Sequence, residues 1–226
     1  MTAPPRLLFS DARFVVLDKP AGLKVHPGPG GGPSVEDWFG LLSRRRDGPW
    51  LAHRLDADTS GCLLVALRRT ALHAAQACFA EGRAGKTYWA MVRGSPAAPA
   101  GIIDLPLLKR STARTGWRMR ADPQGVAART RYRVLGRAET TSWLELELLT
   151  GRTHQARIHC ASLGCPIIGD ALYGEPSGET GREADPCLHL LARAIRLPLE
   201  PPVTATAPPP PHMLAGLLAC GFRPDR

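Results

Sequence analysis

The sequence predicts a mixed α+β fold built as a single domain over residues 1–226. Three observations point to it. Short, continuous Val/Leu-rich runs, clearest in Leu63-Leu64-Val65-Ala66-Leu67, read as buried strands. Segments between them carry apolar residues at three- and four-residue spacing, the helical period. Trp143 to Leu149 alternates, with Leu144, Leu146 and Leu148 on one face and Glu145 and Glu147 on the other, as a half-buried strand does.

Taken in order, Phe14-Val15-Val16-Leu17 predicts a first strand ending at Asp18-Lys19-Pro20, where proline stops pairing. Gly28 to Gly32 predicts a loop. It lacks the Lys-Ser/Thr that a phosphate-binding loop would carry. Ser34 and Asp37 can satisfy free amides of a first helical turn, and Val35, Trp38, Phe39, Leu41 and Leu42 follow at helical spacing. A second helix runs from about Thr70 to Glu81, with Leu72, Ala75 and Phe79 on one face. Tyr88 to Val92 reads as a strand and Gly94 to Gly101 as a loop. Lys109, Arg110, Arg114, Arg118 and Arg120 surround Trp117 with no acidic residue between them, as an RNA-facing hairpin would, and Arg129, Arg131, Arg133 and Arg137 follow. A solvated hairpin would look similar. Thr150-Gly151 leads into a helix from Gln155 to Leu163 that Gly164 closes. Residues 175–186 read as a surface loop, the proline-dense Pro198 to Pro211 as neither continuous helix nor central sheet, and Met213 to Cys220 as a last short helix.

Composition narrows the function classes. The 226 residues are 44% hydrophobic and 22% charged, as a globular chain requires. That length supports one substantial core, or two lobes of one domain. An excess of 29 Lys+Arg over 20 Asp+Glu, net +9, favours a polyanionic partner, although an Arg-rich protein without one would match it. No signal-like start and no bilayer-length apolar stretch is present, so a cytoplasmic protein with reduced thiols and no membrane partner is expected. Cys160 and Cys165 are the nearest cysteine pair. His159, Cys187 and His189 could join them on paper, but without a tight Cys-x-x-Cys knuckle buried thiols are expected rather than a metal.

The most chemically loaded stretch is His53-Arg54-Leu55-Asp56-Ala57-Asp58-Thr59-Ser60-Gly61, feeding directly into the apolar run at Leu63. It resembles the signature of the RluA-type pseudouridine synthases. Three further segments are similar to that family and stand in its order: Leu17-Asp18-Lys19-Pro20-Ala21-Gly22-Leu23 with Val25-His26-Pro27, then Lys86-Thr87-Tyr88, then Gly151-Arg152-Thr153-His154-Gln155-Ala156-Arg157-Ile158-His159. Gly164, Pro166 to Asp170 and Tyr173-Gly174 continue the last. Together they cover residues from about 7 to 213. The resemblance implies a long, mostly antiparallel mixed sheet flanked by helices, with a central RNA-binding cleft. It also implies conversion of specific uridines of ribosomal or transfer RNA to pseudouridine, without cofactor or metal. The family's frequent S4-type RNA-binding domain is expected to be absent. No obligate protein partner is evident, and a monomer is expected.

By its place in the motif Asp56 is the catalytic carboxylate. Three routes stay open for it: attack on the sugar, addition to the ring, or removal of a sugar proton. Burial would neutralise it and a guanidinium would oppose that, with Arg157 as the expected partner. Arg152 and Arg157 bracket the first turn of their helix, where the dipole mildly disfavours a cation and a facing anion would compensate. Tyr88 would lie against the uracil, Arg54 would hold the flipped state, His53 and Thr59 would brace the loop or touch the backbone, and Asp58 would cap a turn. Lys24 and Ala156 depart from the family pattern at packing positions only.

Three rivals fit some of these residues. Asp56 and Asp58 could clamp magnesium in a metal-dependent nucleotide enzyme, but no phosphate-cradling loop accompanies them. Ser60 could serve a hydrolase, yet the G-x-S-x-G elbow is lacking. A non-catalytic RNA-binding module would use the basic surface alone.

Overall fold

The computed structural model describes residues 3–28, 30–45, 47–112, 116–174 and 187–224. The expected loop at 175–186 and Arg114 lie outside them. The chain divides into two compact units, Met1–Thr87 with Leu191–Pro210, and Tyr88–Leu190 with Pro211–Arg226. Both mix helices with mostly antiparallel strands, the fold class expected from the sequence.

In the first unit the strands run in the spatial order β1 (Arg6–Ser10), β2 (Phe14–Lys19), β4 (Ser60–Ala66) and β11 (Leu190–Leu197). The short β3 (Trp50–Leu51) adds to β4, and β12 (Val203–Thr206) adds to β11. All these pairs are antiparallel except β4 with β11. All seven residues of β4 are buried. That is why its apolar run is continuous rather than alternating: a strand covered on both faces has no solvent side. The helix α2 (Arg69–Ala80) buries Ala71, Ala75 and Cys78 and lies against β4. Ser34 opens a 3-10 turn at Val35–Trp38, and its N–H donates to the Asp37 carboxylate at 3.0 Å. The turn continues into only four α-helical residues, α1 (Phe39–Leu42), so the expected helix is brief and Leu41 stays exposed. In the proline-dense segment, β12 pairs along one strand alone, as prolines on either side dictate.

The second unit orders β5 (Gly85–Arg93), β10 (Thr141–Leu148), β9 (Arg129–Arg137) and β6 (Ala100–Asp104), and adds the hairpin β7 (Leu107–Thr112) with β8 (Gly116–Ala121). Leu144, Leu146 and Leu148 enter its core beside Ala90, Val92, Ala156 and Cys160. The β10 alternation breaks at one end. A register shift between Trp143 and Leu144 buries both. The Trp143 indole packs edge-on to Trp89 and Phe222, so that face is aromatic where the alternation alone would make it polar. On the same strand Glu145 takes Arg133 at 2.9 Å and Glu147 takes Arg131. Arg131 and Arg133 are thus engaged across the sheet. The helices α3 (Gln155–Ser162) and α4 (Pro211–Ala219) complete the unit. Proline at the first position of α4 lacks only an N–H that has no partner in a helix start. Among the described residues no helix is long and apolar enough to cross a membrane.

Candidate active site

The His53–Gly61 stretch leaves β3 and enters β4, and several contacts fix it. Leu55 and Thr59 are buried, Arg54 and Asp58 exposed, and Asp56 half-buried. The Thr59 N–H donates to the Asp56 carbonyl at 3.2 Å, closing a turn around Ala57 and Asp58. Where β3 ends, the Ala52 N–H still bonds the Leu64 carbonyl at 3.1 Å, and the His53 imidazole Nε2 then accepts the Leu64 N–H at 3.0 Å. The side chain takes over the ladder from the backbone just as the chain departs. An accepting nitrogen must be unprotonated. Burial, with help from the Lys86 charge, pulls the His53 pKa down to about 4 against a backbone bond at Arg54.

Gly61 ends the motif for a geometric reason. Its φ is +103, and a Cβ there would run into the Ala192 carbonyl of the parallel partner β11 and meet Leu191 Cδ1 at 2.8 Å. Only glycine allows β4 to begin so close to β11.

Sequence reasoning gave Lys19 no role, yet it is the main support of the loop. It is fully buried, and its ammonium donates to the carbonyls of Pro20 (2.9 Å), Leu23 (2.7 Å) and Ala57 (2.7 Å). Three protons meet three acceptors, one of them the peptide oxygen that follows Asp56. Burial lowers the Lys19 pKa to about 7, and the charges of Asp58 and Asp56 oppose that shift. The two carboxylates of the supposed magnesium clamp therefore share their field with a lysine. Asp58 acts here through charge. Ser60, the nucleophile of the hydrolase reading, is buried in β4.

In the second unit Tyr88 is half-buried and packs against the core cluster of β5 and β10. Arg157 sits in the first turn of α3, where Asp170 grips it: Nε to Oδ2 at 2.8 Å and Nη2 to Oδ1 at 2.6 Å. Burial alone would raise the Asp170 pKa. Both Arg157 bonds, its charge and the N–H groups of Leu172 and Tyr173 outweigh burial and hold the carboxyl below its ordinary value. The guanidinium also lies over the Tyr173 ring at 5.3 Å. The compensating anion within this unit is thus Asp170, a motif residue to which sequence reasoning gave no task. Gln155 ties the helix start to the sheet, accepting from Arg152 N–H (3.0 Å) and donating to the Arg129 carbonyl (2.9 Å) and Thr130 Oγ1 (2.9 Å). His159, considered on paper as a metal ligand, bonds Thr130 Oγ1 and the Leu105 carbonyl through its two ring nitrogens. Cys62, Cys78, Cys160, Cys165 and Cys220 are buried thiols; burial pushes Cys62 up to about 12 and raises Cys160 and Cys165 as well.

The structure therefore brings His53, Arg54, Asp56 and Thr59 together on one anchored loop. It seats Tyr88 and Arg157 in the other unit. Comparison with known proteins agrees with the motifs. Residues 13–162 match the family described as RNA pseudouridylate synthase. A Zymomonas mobilis protein described as an uncharacterized RNA pseudouridine synthase is 41% identical over 207 residues, 91% of this chain and 94% of the relative. Ribosomal large subunit pseudouridine synthase D of Nitrosomonas europaea is 36% identical over 202 residues, 85% of this chain and 56% of the relative, so the chain spans about half of that protein. Among solved structures, human RNA pseudouridylate synthase domain containing 4 superposes with a TM-score of 0.77 at 27% identity, covering 95% of this chain and 92% of that one. The loop that carries Asp56, the ordered motifs around it and these likenesses lead to one conclusion: the chain belongs to the RNA pseudouridylate synthase family and is a pseudouridine synthase, an isomerase.

Proposed function

We propose that this enzyme isomerises uridines in structured RNA, either large-subunit ribosomal RNA or a transfer-RNA stem-loop, acting in the cytoplasm as a monomer. In that reaction the C1′–N1 bond of the uridine breaks, the uracil turns, and C5 bonds to C1′; N1 ends with a proton and C5 gives one up. Nothing is oxidised or hydrolysed, so the balance needs no cofactor. It needs a carboxylate held ionised at the sugar and base, and Asp56 is that group.

The observation that carries this reading is the anchoring of the Asp56 loop. Lys19 holds the next peptide oxygen, His53 ties the loop's start to β4, and Leu55 and Thr59 are sunk in the core. Such support preorganises one half-buried carboxylate without spending substrate binding energy to order it. Arg54, exposed on the same loop, inserts where the target base leaves its stack and keeps the base turned out. Tyr88 lies against the uracil, and Arg157, its angle set by Asp170, keeps negative charge favourable at the reacting nucleotide. Thr59 supports the turn from beneath. The Nitrosomonas relative acts, by its name, on the large ribosomal subunit. That name and the net charge of +9 support an RNA substrate of this class.

Mapping pseudouridine across total RNA from cells with and without the gene tests the reading. Specific sites that vanish on deletion and return with the wild-type gene are expected. An unchanged map, together with no activity of purified protein on total RNA, would overturn it.

A further inference from the structure

The functional reading leaves the β7–β8 hairpin without a task. Its register places Lys109, Ser111, Trp117 and Met119 on one face, because Lys109 pairs with Met119 and Ser111 with Trp117. Met119 packs into a small cluster with Leu107, Ala128, Ile158 and Tyr173. Trp117, two residues back along the strand, projects past that packing and remains 48% exposed. An open tryptophan by itself needs no explanation; its surroundings are what set this one apart.

What lies beside the indole specifies the ligand. The His154 ring stacks on it, centroids 5.5 Å apart and planes inclined by 29°. His154 is the one non-glycine residue at positive φ among those described, at +54, and this left-handed turn at the start of α3 costs about 1–2 kcal/mol. Tyr173 holds the imidazole there. Its hydroxyl accepts the Met119 N–H at 3.3 Å and meets His154 Nδ1 at 2.7 Å, so its own proton is available to the imidazole. Lys109 Nζ sits over the indole, 4.8 Å from its centroid, whereas Arg118, on the opposite face of the hairpin by register, bonds the Leu172 carbonyl. By contrast, Arg110 and Arg120 are held by Asp122, Arg131 and Arg133 by the β10 glutamates, and Arg129 by Asp104. The result is an exposed indole with an imidazole stacked on it and an ammonium over the ring.

We propose that Trp117 and His154 form a stacking platform for an unpaired base of the RNA, with Lys109 taking a phosphate beside that base. An open indole face stacks on any base. A neighbouring ammonium can move from the ring to a phosphate as the base arrives. A peptide or lipid partner would need an apolar groove in place of a flat ring with a cation over it. This inference rests on the reading of the chain as an enzyme on RNA, and it adds how a looped substrate is told from a duplex.

The test compares two probes by fluorescence anisotropy: an RNA stem-loop with an open loop of unpaired bases, and its stem closed as a blunt duplex. Trp117→Ala is expected to weaken stem-loop binding on the order of ten-fold and to leave duplex binding unchanged. Trp117→Phe, which keeps a ring and the strand, is expected to retain most of the stem-loop affinity, separating stacking from folding. Equal losses on both probes, no loss with Trp117→Ala, or as large a loss with Trp117→Phe would each overturn the platform. If wild-type protein leaves uridines in total RNA untouched yet shows this binding pattern, the platform stands and the catalytic reading fails.

Discussion

Arg157 and Asp170 form a two-pronged ion pair whose side chains are only 4% and 1% exposed. One prong uses Nε and the other Nη2, so the carboxylate fixes the plane of the guanidinium as well as its place. Pairs sealed this far from water add little net stability, but breaking one strands a charge.

Asp170→Asn is therefore expected to destabilise the protein by about 3–5 kcal/mol, read as a lower urea midpoint at pH 7. The wild-type contribution is present above the ordinary carboxylate range and is lost as pH falls through the depressed folded value, because the unfolded chain then binds the proton first. A variant as stable as wild type would show that the pair orients nothing.

His53 provides the acid-sensitive step at mildly acidic pH. Its folded pKa of about 4 lies below the model-peptide value of 6.5, so the unfolded chain takes up the extra proton between those values. Stability should fall by up to about 3 kcal/mol as pH drops from 6.5 to 4. His53→Leu should lose about 1 kcal/mol at pH 7 with the missing acceptor and lack this part of the pH slope. Denaturant melts across that window for both proteins check it.

Gly61→Ala forces a Cβ onto the Ala192 carbonyl at a positive φ. A loss of about 3 kcal/mol or more is expected, from left-handed strain and overpacking together. A thermal midpoint within a degree of wild type would contradict the close approach of β4 and β11.

Lys19→Met keeps the volume of the buried stem and removes three donors. Three carbonyls then lose their partner, and a destabilisation on the order of 3 kcal/mol is expected. Turnover should fall further than the folded fraction explains, because the peptide after Asp56 is no longer held. Single-turnover rates on fully folded protein separate the two effects.

Much of this was legible in the residues. The continuous run at Leu63 announced a strand covered on both faces, the β10 leucines announced a core face, and α2 and α3 lie within a residue or two of their sequence bounds. The nonapeptide marked the loop. What stayed hidden were partnerships between distant positions. Lys19 has no visible partner in the sequence until the fold brings the Ala57 carbonyl to it, and Asp170 has no assigned task until α3 turns Arg157 toward it. Likewise Arg131 and Arg133 have no visible partner in the sequence, because only strand register shows that Glu147 and Glu145 lie opposite them. Local pattern carries periodicity, whereas charge pairing depends on register and burial, which the chain acquires only on folding.

The decisive measurement is pseudouridine formation by Asp56→Asn on total RNA from cells lacking the gene, alongside RNA affinity and a thermal melt of the same preparation. Removing only the ionisable oxygen should leave the melt and the affinity as in wild type while turnover falls by more than about 10³-fold. An Asp56→Asn protein that still isomerises uridine at a rate near wild type would show that another group does the chemistry.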